Sequence, residues 1–268
     1  MKKFVTSGTN TYHLHIRGTG KILICLHGFS ESTTTWDNLK LKNRKIICLD
    51  WLGHGKSDQP DEQIYYNFPN VISDLHEIIQ KITNNEPFDL LGYSMGGRMA
   101  LQYAIKHSER IDHLILESAS SGLNSSEARE NRIKSDENLA QKILQNGSEW
   151  FAEFWGNLAL FNSQKSLSNL TKTQIYQRRA SNSPHVLAAT LRGTGQGKIP
   201  YVGNQIADLP LKILYISGSL DEKYRQIRQE FEQNPNVHGI EIAQAGHNTH
   251  LEKPEEFSEI IEEFLENS

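Results

Sequence analysis

Short runs of consecutive aliphatic residues alternate along this chain with longer stretches of helical periodicity, and that alternation restricts the fold more than any other feature. Lys21-Ile22-Leu23-Ile24-Cys25-Leu26 and Lys45-Ile46-Ile47-Cys48-Leu49 are continuously apolar and rich in Ile, and polar, Gly-containing segments follow both. Strands covered on both faces read this way, and such strands belong to a mostly parallel sheet. Phe88-Asp89-Leu90-Leu91, His113-Leu114-Ile115-Leu116 and Leu211-Lys212-Ile213-Leu214-Tyr215-Ile216 are of the same kind, and the mixed polarity of Val237 to Ile242 suits an edge strand. Helices are predicted between them: Val71 to Ile82 places Ile72, Leu75, Ile78, Ile79 and Ile82 on one face, and Met99 to Ile105 continues the pattern. Pro254 to Leu265 is a closing amphipathic helix with proline in its first turn.

Between Gly122 and Gly197 the texture changes to Ser, Asn, Arg and Gln with aromatic pairs such as Trp150-Phe151 and Phe154-Trp155, without convincing strands. We read this segment as a helical cap (122–197) inserted into one α/β core made of residues 1–121 and 198–268, lying over the carboxyl ends of the strands, where open α/β sheets bind ligands. A length of 268 residues with 37% hydrophobic content suffices for one such core.

The balance of 28 Lys+Arg against 32 Asp+Glu leaves a formal charge of −4, which supplies no general field for nucleic acid or an anionic membrane. Any positive charge that matters must be local. The amino-terminal segment lacks an apolar signal core and no stretch approaches a membrane span, so a cytoplasmic location is expected. Cys25 and Cys48 sit inside apolar strands and read as inert core thiols.

Gly92-Tyr93-Ser94-Met95-Gly96 follows the strand at Phe88–Leu91 and opens a helical pattern, the context in which G-x-S-x-G becomes a nucleophile elbow. Asp221 follows the strand ending at Ile216-Ser217-Gly218, and His247 follows the last strand. The order Ser, Asp, His suits an imidazole whose tautomer is fixed by an acid while it takes a proton from serine. His27-Gly28-Phe29-Ser30 stands where an oxyanion-binding turn should be, so the backbone N–H groups of Phe29 and Met95 are the candidate donors, and His27 is expected to order the loop. Two decoys are set aside. Gly193 to Lys198 imitates a phosphate loop, but Ile199-Pro200 follows where Ser/Thr and a helix are needed, so it is read as a flexible exit from the cap. His247 and His250 are spaced like metal ligands but lack a third, and neither metal nor cofactor is expected.

His27-Gly28-Phe29, Asp50-Trp51-Leu52-Gly53-His54-Gly55-Lys56-Ser57, the elbow, Asp221 and His247 together resemble the α/β-hydrolase superfamily, with Leu52 where many members carry proline. The longer string Gly92 to Ala100, then Gly122-Leu123 with Arg129 and Arg132, and Ala245-Gly246-His247-Asn248-Thr249-His250 are similar to one branch of it. That branch is the 2-succinyl-6-hydroxy-2,4-cyclohexadiene-1-carboxylate synthases, pyruvate-eliminating lyases of menaquinone biosynthesis. The resemblance implies that Arg98, Arg132 and Arg179 bind the carboxylates of a small tricarboxylate substrate and that Tyr93 and Trp155 line its pocket. Guanidinium groups suit this because they grip carboxylates bidentately. Arg132 and Arg179 each have an arginine neighbour, Arg129 and Arg178, and the register within each pair is open. The rival readings are a serine hydrolase for a small anionic ester, thioester or carbon–carbon bond, and a catalytically silent receptor on the same fold.

Overall fold

The computed structural model describes residues 1–267; Ser268, the last residue of the second core segment expected from sequence, lies outside them. The strands are β1 (Lys2–Ser7), β2 (Asn10–Arg17), β3 (Lys21–Leu26), β4 (Arg44–Leu49), β5 (Phe88–Tyr93), β6 (Ile111–Glu117), β7 (Lys212–Gly218) and β8 (Val237–Ile242). They form one sheet in the order β1-β2-β4-β3-β5-β6-β7-β8. Pairing is antiparallel for β1–β2 and β2–β4 and parallel from β4 through β3 to β8. The helices are α1 (Phe68–Thr83), α2 (Met95–Lys106), α3 (Ser126–Gly156), α4 (Asn169–Ala180), α5 (Pro184–Thr194), α6 (Glu222–Phe231), α7 (Thr249–Glu252) and α8 (Pro254–Asn267).

Successive side chains on a strand face opposite ways, so a strand buried on both sides contributes to two cores. On one face Ile24, Leu26, Ile47, Leu49, Leu90 and Leu114 pack with α1 and α2 residues such as Leu75, Ile79 and Met99. On the other, Leu23, Cys25, Cys48, Leu91, Ile115 and Leu214 pack against Trp36 and the α8 residues Phe257, Ile261 and Leu265. Cys25 and Cys48 are register partners across β3 and β4 and are free, buried thiols.

The β1–β2 hairpin is not among the strands read from sequence. Its signal is weak because β1 is an edge with exposed Lys2, Lys3 and Phe4, and β2 alternates polar and apolar residues, burying Tyr12 and Leu14. No helix of the described residues is long and apolar enough to cross a membrane.

Helices α3, α4 and α5 fill the interval between β6 and β7. Helix α3 breaks at Gly147, whose φ of 86° lies in the left-handed region. The Gly193–Lys198 stretch, expected to be a flexible exit, is a tight junction that is buried from Gly193 to Gly197 and exposed at Lys198. A Cβ on Gly195 would collide with the Leu191 carbonyl oxygen and the Asp136 carboxylate, so glycine here permits close packing.

The loops that carry Ser94 and His247 are tied to the sheet through Glu117, the fully buried last residue of β6. Its backbone carbonyl accepts the Ser94 N–H at 2.8 Å. Its carboxylate accepts the Thr249 hydroxyl at 2.6 Å and the His250 N–H at 3.0 Å, and the other oxygen bonds His250 Nδ1 at 2.7 Å. His250 Nε2 then meets the Thr35 hydroxyl at 2.7 Å, so this imidazole is committed on both nitrogens. One buried carboxylate therefore fixes the chain just after His247 relative to Ser94. Glu117→Gln replaces an acceptor by a donor amid these donors; unfolding in urea should show a loss of about 3 kcal/mol. Its kcat should fall about tenfold or more at little changed KM, measured on the folded variant.

Candidate active site

Residues Leu26, Tyr93, Gly218 and Ile242 end β3, β5, β7 and β8, and the loops beyond them carry every group of the triad. Ser94 sits between β5 and α2 with φ 50° and ψ −107°, a conformation costly for a residue with a side chain, of order 1–3 kcal/mol. The surrounding packing imposes it: a Cβ at Gly96 would collide with the carbonyl oxygens of Leu26 and His27, so the elbow lies directly on the end of β3. The result lifts the Ser94 hydroxyl to the foot of α2, clear of the sheet.

His247 is buried, with Nδ1 2.7 Å from Asp221 Oδ2 and Nε2 3.0 Å from Ser94 Oγ. Asp221 caps α6, accepting the Tyr224 N–H on its other oxygen at 3.3 Å. Since the carboxylate can only accept, Nδ1 carries the proton and the Nε2 lone pair faces the serine. The structure thus brings the three sequence-predicted residues into one relay. The rings of Tyr93, Phe161 and Tyr224 surround the imidazole with centroids 5.5, 6.0 and 4.6 Å away.

Two further histidines at this end of the sheet, His27 and His54, are buried. His27 Nδ1 bonds the Gly28 carbonyl at 2.7 Å, and its Nε2 accepts the Trp51 N–H at 3.1 Å. Burial lowers its pKa, and burial pushes His54 down to about 3, so both are neutral struts at ordinary pH. Asp50 completes this support by accepting from Thr33 N–H at 2.6 Å and Lys56 N–H at 3.0 Å and pairing with His13 at 2.7 Å. The loop is held by these bonds even though Leu52 stands in place of the usual proline.

Phe29 and Met95 both line the cavity that opens on Ser94 and His247. Met95 is the first residue of α2, where backbone N–H groups lack intrahelical acceptors. The Phe29 loop lies against the serine, a Cβ at Gly28 falling 3.6 Å from that of Ser94. The cavity encloses roughly 690 Å³ with its mouth included, and its walls also carry Arg98, Arg132, Trp155 and Gln196. Trp155 stands edge-on to Phe29 with centroids 5.5 Å apart.

The expected arginines separate here. Arg98 is buried one helical turn beyond Ser94, and its Nε has no hydrogen-bond partner. Arg132 donates to Asp136 at 2.8 Å and to Gln196 at 2.9 Å while still facing the cavity, whereas its neighbour Arg129 is exposed. Arg179 is not in the cavity wall. It is buried with its guanidinium 4.4 Å from the Phe161 centroid and bonded to Gln164 at 3.3 Å. Arg178 pairs with buried Glu31 at 3.0 Å. Tyr93 likewise supports from behind, because alternation along β5 turns its ring into the face packed on Trp36 and Phe257.

Lys223 and Tyr224, in the first turn of α6, also line the cavity and were not singled out from sequence. Their signal was their adjacency to Asp221. Burial lowers the pKa of Arg98, with the charge of Arg132 adding to it, and burial, Arg132 and Arg98 lower that of Lys223. The Asp136 carboxyl is pushed up by burial despite its arginine partner. Arg98 and Lys223, each depressed by neighbouring cations, gain when an anion enters. No cluster of three or more His, Cys, Asp or Glu side chains among the described residues could hold a metal, and His250 is bound to Glu117.

The chain matches the α/β-hydrolase fold family over residues 21–254. It is 37% identical to a Bacillus subtilis (strain 168) protein provisionally named 2-succinyl-6-hydroxy-2,4-cyclohexadiene-1-carboxylate synthase, across 91% of this chain and 89% of that one. A Pectobacterium atrosepticum protein with the same synthase name is 27% identical, covering 91% of this chain and 93% of its own. Among solved structures, MenH from S. aureus superposes with a TM-score of 0.88 at 35% identity, covering 97% and 99% of the two chains. This chain therefore belongs to the α/β-hydrolase-fold family and, within it, to the family of 2-succinyl-6-hydroxy-2,4-cyclohexadiene-1-carboxylate synthases.

Proposed function

We propose that this enzyme is a carbon–oxygen lyase that eliminates pyruvate from 2-succinyl-5-enolpyruvyl-6-hydroxy-3-cyclohexene-1-carboxylate, forming 2-succinyl-6-hydroxy-2,4-cyclohexadiene-1-carboxylate in menaquinone biosynthesis. The observation that carries the reading is the pairing of a complete Ser94–His247–Asp221 relay with buried Arg98 and half-buried Arg132 in one cavity. A relay alone would serve any acyl transfer; cations around it select a polyanionic substrate. Helices α3 to α5, within residues 122–197, act as the cap that closes over the core segments 1–121 and 198–268.

In this mechanism His247 takes the Ser94 proton on Nε2, and the serine oxygen removes the ring proton alpha to the succinyl carbonyl. The electron pair left behind forms an enolate, whose oxygen is held by the Phe29 and Met95 N–H groups. Collapse of the enolate moves the pair through the ring and breaks the bond to the enolpyruvyl oxygen. Enolpyruvate leaves, takes up a proton from the His247 imidazolium and becomes pyruvate. No acyl-enzyme forms, and Asp221 stabilises the imidazolium throughout. Arg98 and Arg132 hold substrate carboxylates, and Trp155 supplies an apolar wall for the ring.

Pyruvate release, coupled to lactate dehydrogenase, tests the scheme. Ser94→Ala and His247→Ala should each lower kcat by about a thousandfold or more, and near-normal turnover by either would remove the base from the mechanism. An acyl-enzyme burst with a simple ester and no pyruvate from the enolpyruvyl substrate would identify a hydrolase instead. Arg98→Ala should lower kcat/KM roughly a hundredfold, chiefly through KM. Arg132→Ala should behave similarly while Arg129→Ala stays within about twofold of the parent, because only the first side chain reaches the cavity.

A further inference from the structure

Three cationic side chains reach the cavity beside Ser94: Arg98 from α2, Arg132 from α3 and Lys223 from α6. The carboxylates facing them are few. Asp136 is bonded to Arg132, and Asp221, two residues before Lys223, is bonded to His247 and the Tyr224 N–H. Lys223 forms no ion pair with any carboxylate among the described residues, and its ammonium lies 5.4 Å from the Tyr224 ring centroid. The fourth nearby cation, Arg179, stacks on Phe161 outside the lining of this cavity.

We infer that Lys223 is the third carboxylate-binding group of the cavity, holding one carboxylate of the substrate while Arg98 and Arg132 hold the others. This rests on the lyase reading. The assignment follows from position and charge. Lys223 is exposed at the cavity, beside two like charges and an aromatic ring and without a carboxylate partner, so its ammonium is free to take an anion that enters. Its place in the first turn of α6, beside Asp221, puts that anion next to the triad, so the contact also orients the substrate toward Ser94. The groups facing its ammonium are Arg98 and Arg132 on the opposing helices and Asp221 on its own turn. Because burial and both arginines lower its pKa, the amine loses its proton at a lower pH than an ordinary lysine. The sign follows: the contact is intact below that pKa and is lost as pH rises through it, so KM rises on the alkaline side.

Pyruvate-release kinetics across pH, with Lys223→Gln and Lys223→Arg, test this. The glutamine variant should raise KM roughly tenfold to a hundredfold with a smaller effect on kcat, the range typical of a hydrogen bond to a charged group. The arginine variant should restore most of the affinity and abolish the alkaline rise in KM. A control, Lys212→Gln at the opposite end of β7, should match the parent. A glutamine variant with unchanged KM, or an arginine variant that keeps the alkaline rise, would overturn the assignment while leaving the lyase reading intact if the parent still turns over. Calorimetric binding of propane-1,2,3-tricarboxylate reads the same contact without turnover. A roughly tenfold weaker Kd in Lys223→Gln supports it even if the parent fails to release pyruvate, which would sink the lyase reading alone. An equal Kd in parent and variant, or no binding to the parent, refutes it.

Discussion

The hydrogen bond between His247 and Asp221 is the contact on which the remaining geometry depends. It fixes the imidazole proton on Nδ1 and leaves the Nε2 lone pair toward Ser94, 3.0 Å away. These groups come from loops after three strands, and a shift of about 1 Å in any of them would separate the relay. The surrounding structure holds them together. The elbow is seated on the end of β3 through Gly96, and Glu117 ties the Ser94 amide to the segment just beyond His247. The His27 and Asp50 bonds immobilise the neighbouring loops. Each support is buried, where a hydrogen bond is strong and an unpaired group costly.

Charge is distributed unevenly in a way the net value of −4 conceals. Cations that elsewhere would pair with surface carboxylates are placed by α2, α3 and α6 around one cavity. In that cavity their partners are scarce, and the charged forms of Arg98 and Lys223 are disfavoured, first by burial and then by neighbouring cations. An anionic ligand would relieve this, which is the basis of the proposed preference for a polycarboxylate over a neutral ester. The triad geometry common to the superfamily is thus set among cations, and two of the relatives bear the synthase name.

Much of this was legible in the sequence because the signals are local. The parallel strands β3 to β7 are apolar runs since both their faces are covered, and the elbow is recognisable because glycine spacing and a strand-to-helix switch coincide. The β1–β2 hairpin escaped because a half-exposed edge has little apolar signal. Asp89 illustrates a further limit. In a strand it reads as a surface residue, yet it is fully buried, bonded to Arg44 and to His113 at 2.6 Å from distant segments.

Residue identity and order along the chain determined the layered α/β class and marked Ser94, Asp221 and His247 as the candidate triad, since each lies at a strand end marked by its own neighbours. Tertiary packing decided which cations reach the substrate cavity. The cap helices have weak apolar faces and a break at Gly147, so sequence periodicity does not set their rotation over the sheet. Only the packed structure shows Arg132 turned inward past Arg129, Arg179 stacked on Phe161 outside the cavity lining and Lys223 brought in beside Asp221. The physical reason is that secondary structure arises from local sequence, whereas the direction of a long charged side chain is settled by what every other element leaves unoccupied.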